Sequence, residues 1–418
     1  MPHSLLPVDD LLSAALHAYE AAAAWGGEPV RRIPRLKKLL NERRIRRLTE
    51  RFFEETAPYR DRDMETLPPE EQAMFRALLV DYLETLDRKR LLYHKPFLAY
   101  FLEEGYLDTA EAFTKRARDE DSGLEKEDVF QALRNVWIMN CLQTSWGLKV
   151  GVTDSVYAYS MLYPYTDNYL DDPDVSSEAK HGFNERLSAG IQGESPEVLH
   201  PSERRVHELL QLIFGEFPPE RFPGVQAGLS LIQEGQIRSL SQDASLGHSR
   251  GEVLKLSFFK GGASVLADGF LVAGTLALDQ QQFAYHYGCF LQLVDDLQDM
   301  EEDRAAGQHT VFTLLPPGSP CDEEVAALLA YVAEANQPAA GDSPQLLRMK
   351  AIIAYFSRMM VLEVIGRNPK LVSEAYYREL ERGSHVRLSF YPRFAERIQT
   401  FMGDQAFFSR GAEKTGRV

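Results

Sequence analysis

Cysteine is scarce in this chain: three residues in 418, Cys141, Cys289 and Cys321, with no CxxC pair and no Cys/His cluster. That excludes a disulfide scaffold and a thiolate zinc site, and it fits a reducing compartment. Basic charge is also short. The formal net charge is −16, with 46 Lys and Arg against 62 Asp and Glu. Nucleic acid or an anionic membrane surface is therefore not expected as the main partner, since both select basic patches. Long apolar runs are missing too. The longest, "GASVLADGFLVAGTLAL" at 262–278, is interrupted by Asp268 and falls short of the roughly 20 residues of a spanning helix. No HExxH, Walker-type loop, GxSxG or EF-hand loop occurs. Asp9 and Asp10 come early, with no basic leader region before them. These absences lead to the expectation of a soluble, cytoplasmic protein with no transmembrane segment and no nucleic-acid partner.

What remains is helix-forming sequence. "RLKKLLNERRIRRLTERFFEE" repeats apolar residues every three or four positions. "PPEEQAMFRALLVDYLETLDRKRLL" opens with proline and acids, as a helix N-terminus does. The breaks, such as "GEFPPERFPG" and "LLPPGSPCDEE", are short and turn-like. No run of alternating strands and no internal repeat is present. The expected fold class is all-α: one large helical bundle over residues 126–418, with residues 1–125 as an N-terminal helical extension packed on it.

Two acidic clusters stand out. "QLVDDLQDMEEDRAAG" places six carboxylates in the nine positions from Asp295 to Asp303, directly after the apolar "CFLQLV". Asp295, Asp299 and Asp303 are spaced by four and line one helix face. Like charges at that spacing cost about 0.2–0.5 kcal/mol per pair, more where the local dielectric falls. A hard divalent cation would relieve that repulsion. Asp296, offset by about 100° from Asp295, is expected to face outward, and Gly307 to stop the helix. Upstream, "YPYTDNYLDDPD" carries Asp167 and Asp171 on one face, ahead of Pro173. Acids there meet the negative end of the helix dipole, a second unfavourable placement. If the two helices face each other, cations held between the clusters would grip a diphosphate.

This pair of motifs resembles the class I isoprenoid synthases, meaning trans-prenyltransferases, terpene cyclases and squalene/phytoene synthase relatives. "QLVDDLQD" is similar to the second aspartate-rich motif of trans-prenyltransferases, Gln292 included, and its longer form Asp295/Asp299/Asp303 to the three-ligand motif of terpene cyclases. "DNYLD" resembles the first aspartate-rich motif, with Asn168 in place of its second aspartate. The separation, 295 − 167 = 128 residues, suits the family layout. "EGQIRSL" resembles the Gly-Gln segment, giving Gly235 and Gln236. "FFKGGASVLADGFLVAG" resembles the segment whose lysine meets the diphosphate, here Lys260, followed by Gly261 where the family has threonine. The chain departs from the family elsewhere. Ser176 and Ser177 stand where trans-prenyltransferases carry an Arg pair, Gln308 stands for a lysine, and the Gly-Gly-Lys segment for isopentenyl diphosphate is not found at its expected distance.

The resemblance implies ionisation of an allylic prenyl diphosphate. Several Mg²⁺ ions (or Mn²⁺) would be held by Asp167, Asp171, Asp295, Asp299 and Asp303, with Lys260, Arg304, Gln292 and Gln236 at the diphosphate. Tyr157, Tyr163, Phe258, Phe259, Tyr285 and Phe290 are candidates for facing the carbocation. The triple-acid motif and the missing homoallylic residues favour cyclisation or rearrangement, as in a terpene synthase. Gln292, Gly235–Gln236 and Lys260 favour a trans-prenyltransferase. A non-catalytic binding protein of the same fold is the third alternative. A homodimer is the expected assembly, being the commonest homo-oligomer.

Overall fold

The structure is a computed structural model. It describes residues 5–25, 32–59, 62, 67–92, 97–172, 174–239 and 247–402. The side chains of Trp25, Lys126, Asp167, Asp171, Ser239 and residues 398–402 lie outside that description. The helices in chain order are α1 (Val8–Trp25), α2 (Arg35–Thr56), α3 (Pro69–Arg88), α4 (Leu98–Glu103), α5 (Tyr106–Glu120), α6 (Lys126–Ser145), α7 (Asp154–Asp171), α8 (Ser177–Ile191), α9 (Pro201–Glu216), α10 (Pro223–Ser239), α11 (Arg250–Ala273), α12 (Leu278–Gln298), α13 (Met300–Ala305), α14 (Asp322–Ala335), α15 (Pro344–Arg367), α16 (Glu374–Gly383) and α17 (Phe390–Met402). Among the described residues there is no β-strand, so the protein is all-α as its sequence predicts.

The chain divides into two compact units. The first gathers Met1–Gly27, Gly105–Pro317 and Glu323–Arg358; the second gathers Glu28–Glu104, Gly318–Asp322 and Met359–Val418. Residue 125 lies inside the first unit, where apolar burial joins N-terminal helices to later ones. Tyr19 on α1 is 2% exposed and sits edge-on to Phe258 and Tyr331, each at 5.6 Å. That draws α1 onto α11 and α12, while α5 packs on α6.

α11 is the core helix of the first unit. Ser249 and Glu252 form a capping box at its start, and Gly274, at φ 72°, ends it. By length and composition it is the one described helix able to cross a bilayer, yet 72% of its apolar window is buried inside the protein. Its neighbours come unusually close because small residues line the contacts. A Cβ on Gly261 would lie 2.4 Å from the Gly288 carbonyl oxygen, and one on Gly288 would lie 1.9 Å from that of Gly261. α11 and α12 therefore meet backbone to backbone. α10 uses the same device, with Gly228 against Ala267 and Gly235 against Lys260.

The second unit is held by a different pairing. Phe52 of α2 stacks on Tyr82 of α3 at 4.8 Å, and Thr49 Oγ1 shares a 2.9 Å hydrogen bond with the Tyr82 hydroxyl. Glu42, fully buried, accepts from the Arg387 guanidinium at 2.9 and 2.7 Å and from the Arg387 backbone N–H at 2.9 Å. Removing one partner of such a pair costs about 3–5 kcal/mol, because the other charge is left buried alone.

The glycine contact makes a specific demand. Gly288→Ala should destabilise the protein by about 3 kcal/mol or more in urea unfolding followed by circular dichroism, since both close atoms are backbone. Gly215→Ala on α9, where an added Cβ meets nothing within 4 Å, should be neutral or stabilising by up to about 1 kcal/mol. Equal effects at the two positions would contradict the backbone contact.

Candidate functional site

The acidic motif lies across a break between two helices. α12 ends at Gln298 and α13 begins at Met300, with Asp299 between them at φ −98°, ψ 10°. The helical bonding continues through the break. The Asp299 N–H reaches Asp295 O at 2.9 Å, and the Asp303 N–H reaches Asp299 O at 2.8 Å. Asp295, Asp299 and Asp303 thus stay stacked one turn apart, as their spacing predicts. Gly307, at φ 69°, closes α13. The Gln308 N–H returns to Asp303 O at 2.8 Å and the Gly307 N–H to Arg304 O at 3.2 Å, the double bond of a Schellman stop.

Asp296 is the correction. It does not face outward: it is 5% exposed. Its Oδ2 accepts from Ser257 Oγ and its Oδ1 from Gln292 Nε2, both at 2.8 Å. Burial pushes its carboxyl up to about 6; the bonds from Gln292 and Ser257 and the charge of Lys260 oppose that, while Asp295 adds to it. Asp303 is half-buried. Its carboxyl is pushed up to about 7, first by burial, then by Asp296, Asp299 and Asp295, with Lys260 pulling the other way. Asp295 and Asp299 are exposed. The four aspartates and Lys260 therefore form one electrostatic cluster.

Register carries the rest of the site toward Lys260. Tyr163 on α7 meets Ser264 on α11, hydroxyl to hydroxyl, at 3.3 Å. The buried Asn135 amide of α6 donates to Ser160 Oγ and to Asp268 Oδ1, each at 3.3 Å. Tyr163 meets Ser264, and Ser160, three residues earlier, meets Asp268 through Asn135, four residues later, so α7 and α11 run antiparallel. The side chains of Asp167 and Asp171 lie outside the described residues. From the α10 side, a Cβ on Gly235 would lie 3.4 Å from Lys260 Cα, which puts Gln236, half-buried, at the same level. Gln292 is brought in, but its amide is engaged with Asp296. Arg304 is half-buried and leans away from the acids: Nη2 is 3.5 Å from the Leu315 carbonyl oxygen, and Nε is buried without a hydrogen-bond partner.

Of the six aromatic candidates, Tyr157, Phe258, Phe259, Tyr285 and Phe290 are core residues, none more than 3% exposed. Only Tyr163 is half-buried. Sequence reasoning missed Ser257 and the inward turn of Asp296. A signal was present: Gly288, Gln292 and Asp296 recur every four residues, matching Ser257 and Gly261 on the other helix. It also read Asp268 only as an interruption. Asp268 is fully buried beneath the site, and burial holds its carboxyl well above the carboxylate range, against the pull of the Asn135 bond.

Among the described side chains, no three His, Cys, Asp or Glu stand close enough to hold a metal ion by themselves. The donor chemistry nonetheless fits Mg²⁺. The groups are all carboxylate oxygens that repel one another, and Mg²⁺ is commonly held by one or two carboxylates together with substrate phosphate and water.

No protein-family model matches the chain, and no curated protein does. Among solved structures, 11 chains match. One is a decaprenyl diphosphate synthase from Rhodobacter capsulatus, 14% identical, with 80% of this chain and 99% of that one covered at a TM-score of 0.29. At that score the likeness carries no argument about activity.

The raised carboxyls of Asp296 and Asp303 have a stability consequence. Between pH 4 and 7 the folded state holds protons on them that the unfolded state has lost, so this contribution is present below about pH 4 and is lost as pH rises to about 7. Asp303→Asn should therefore lose less stability than the parent protein between pH 5 and 8 in metal-free urea unfolding. Parallel stability–pH curves would contradict the charge cluster.

Proposed function

We propose that the first unit ionises an allylic prenyl diphosphate and then cyclises or rearranges its chain. The observation that supports this is the cluster at Lys260: the aspartates of α12–α13 that act on its charge and Gly235 of α10 packed against its backbone. Asp167, Asp171, Asp295, Asp299 and Asp303 would hold Mg²⁺. The metal, when bound, supplies Lewis-acid neutralisation of the leaving diphosphate. Lys260 adds a cation at the same oxygens. Ser257 and Gln292 lock the Asp296 carboxylate, which holds Lys260 by charge. The C1–O bond breaks with its electron pair leaving on the diphosphate. The allylic cation is then attacked by a double bond of its own chain, and the resulting cation passes a proton to the departed diphosphate. Water must be kept from capturing that cation first.

A second reading, chain elongation with isopentenyl diphosphate, is favoured by the fit of Gly235 against Lys260. The two separate in one experiment. Incubation with Mg²⁺ and farnesyl or geranylgeranyl diphosphate, with and without isopentenyl diphosphate, should release diphosphate and give a product identifiable by mass spectrometry. Product without isopentenyl diphosphate supports cyclisation; an absolute requirement for it supports elongation. No release across prenyl chain lengths leaves a non-catalytic binding protein.

Asp295→Ala and Asp299→Ala should each lower the release rate by about 10²-fold or more, the scale of losing one stabilising group at developing charge. Glu301→Ala and Glu302→Ala, both at exposed positions, should stay within about twofold of the parent. Full activity in Asp295→Ala would end the metal reading.

A further inference from the structure

The inward face of α2 is set by Lys38, Asn41, Glu42, Ile45, Thr49 and Phe52, all buried. Its outward face combines two features that stability does not call for. Leu36, Leu39 and Leu40 are 69%, 38% and 45% exposed within a turn and a half. Every exposed charge from residue 32 to 47 is basic: Arg32, Arg35, Lys37, Arg43, Arg44, Arg46 and Arg47. The one acid in that span, Glu42, is buried against Arg387. Leu36, Leu40, Arg43 and Arg47 follow at i, i+4, i+7 and i+11, so they share one outward line. The first turn of α2 holds no acid and its start has no side-chain cap. Arg35 and Lys37 therefore sit at the positive end of the helix dipole, an unfavourable place for cations.

We propose that the N-terminal half of α2 is a docking element for an anionic lipid surface. The three leucines enter the boundary between headgroups and acyl chains, and the arginines and Lys37 meet lipid phosphate and carboxylate groups. A nucleic acid would use the cations and leave the leucines in water, so the combination selects lipid. The net charge of −16 does not oppose this. Charges beyond a Debye length, about 8 Å at physiological ionic strength, are largely screened, so the patch acts by its local sign.

The test is co-sedimentation of the full chain with phosphatidylcholine vesicles containing none or about 30% phosphatidylserine. Binding to the anionic vesicles alone, weakening as salt rises, is expected. Arg43→Glu with Arg47→Glu should weaken it by on the order of thirtyfold or more, from roughly fivefold per lost cation and the added repulsion of each glutamate. Leu36→Ser with Leu40→Ser should weaken it by on the order of tenfold with little change in salt dependence. Arg134→Glu with Arg221→Glu changes net charge equally at exposed positions of the first unit and should leave binding as it was. Circular dichroism checks that each variant is folded, and the lipid and salt dependence of the parent chain stands without any variant. The proposal is overturned by equal binding to both vesicle types, by no binding, or by an equal effect of the control pair. Tighter retention by duplex DNA overturns it too, as does self-association that the leucine variant abolishes.

Discussion

The backbone contact between Gly261 and Gly288 sets the geometry of the candidate site. Helices with ordinary side chains between them lie about 8–10 Å apart. Here the carbonyls leave no room for a Cβ on either residue. That closeness lets Ser257, one turn before Gly261, reach Asp296, two turns after Gly288. At a normal spacing the Ser257 hydroxyl would not span the gap, and Asp296 would lose one of its two donors. The small residues of α10 repeat the arrangement on the other side of α11.

The two buried aspartates of the first unit show how one residue type takes different states. Asp296 is desolvated but has two donors and a nearby lysine, so its carboxyl rises only to about 6. Asp268 has the Asn135 amide on one oxygen, and its Oδ2 has no hydrogen-bond partner. Its carboxyl is held well above the usual range by burial, and it ties α6, α7 and α11 together through Asn135 and Ser160. A carboxylate cluster such as Asp295, Asp296, Asp299 and Asp303 costs stability that packing does not return. Broken local rules of that kind are characteristic of functional sites.

Much of this was legible in the sequence, for stated reasons. The all-α class follows from apolar periodicity and short breaks. The stacked acids follow from spacing by four, and the stop at Gly307 from glycine's access to positive φ. The inward turn of Asp296 was not legible from its own neighbours, because an offset of about 100° from an acidic face points to solvent only if that face is itself inward. Asp295 and Asp299 are instead exposed, and the inward line is Gly288, Gln292 and Asp296. The two-unit division was hidden for a different reason. Each unit gathers three separate stretches of chain, and no linker composition marks pairings made by Tyr19 or Arg387 across hundreds of residues.

Charge acts at two scales in this chain, and a partner meets the local one. The sum over 418 residues is −16, and it averages an acidic cluster on α12–α13 with a basic half of α2. Electrostatic forces in salt act over about 8–10 Å, a turn or two of helix, so each cluster meets its partner with its own sign. The acids of α12–α13 are spaced to repel one another, and burial adds to that at Asp296 and Asp303. The bases of α2 stand at the wrong end of a helix dipole beside exposed leucines, and that is stable only because Glu42 and Arg387 anchor the inward face. Both arrangements lower the stability of the isolated protein, and a partner of the opposite sign would relieve each of them.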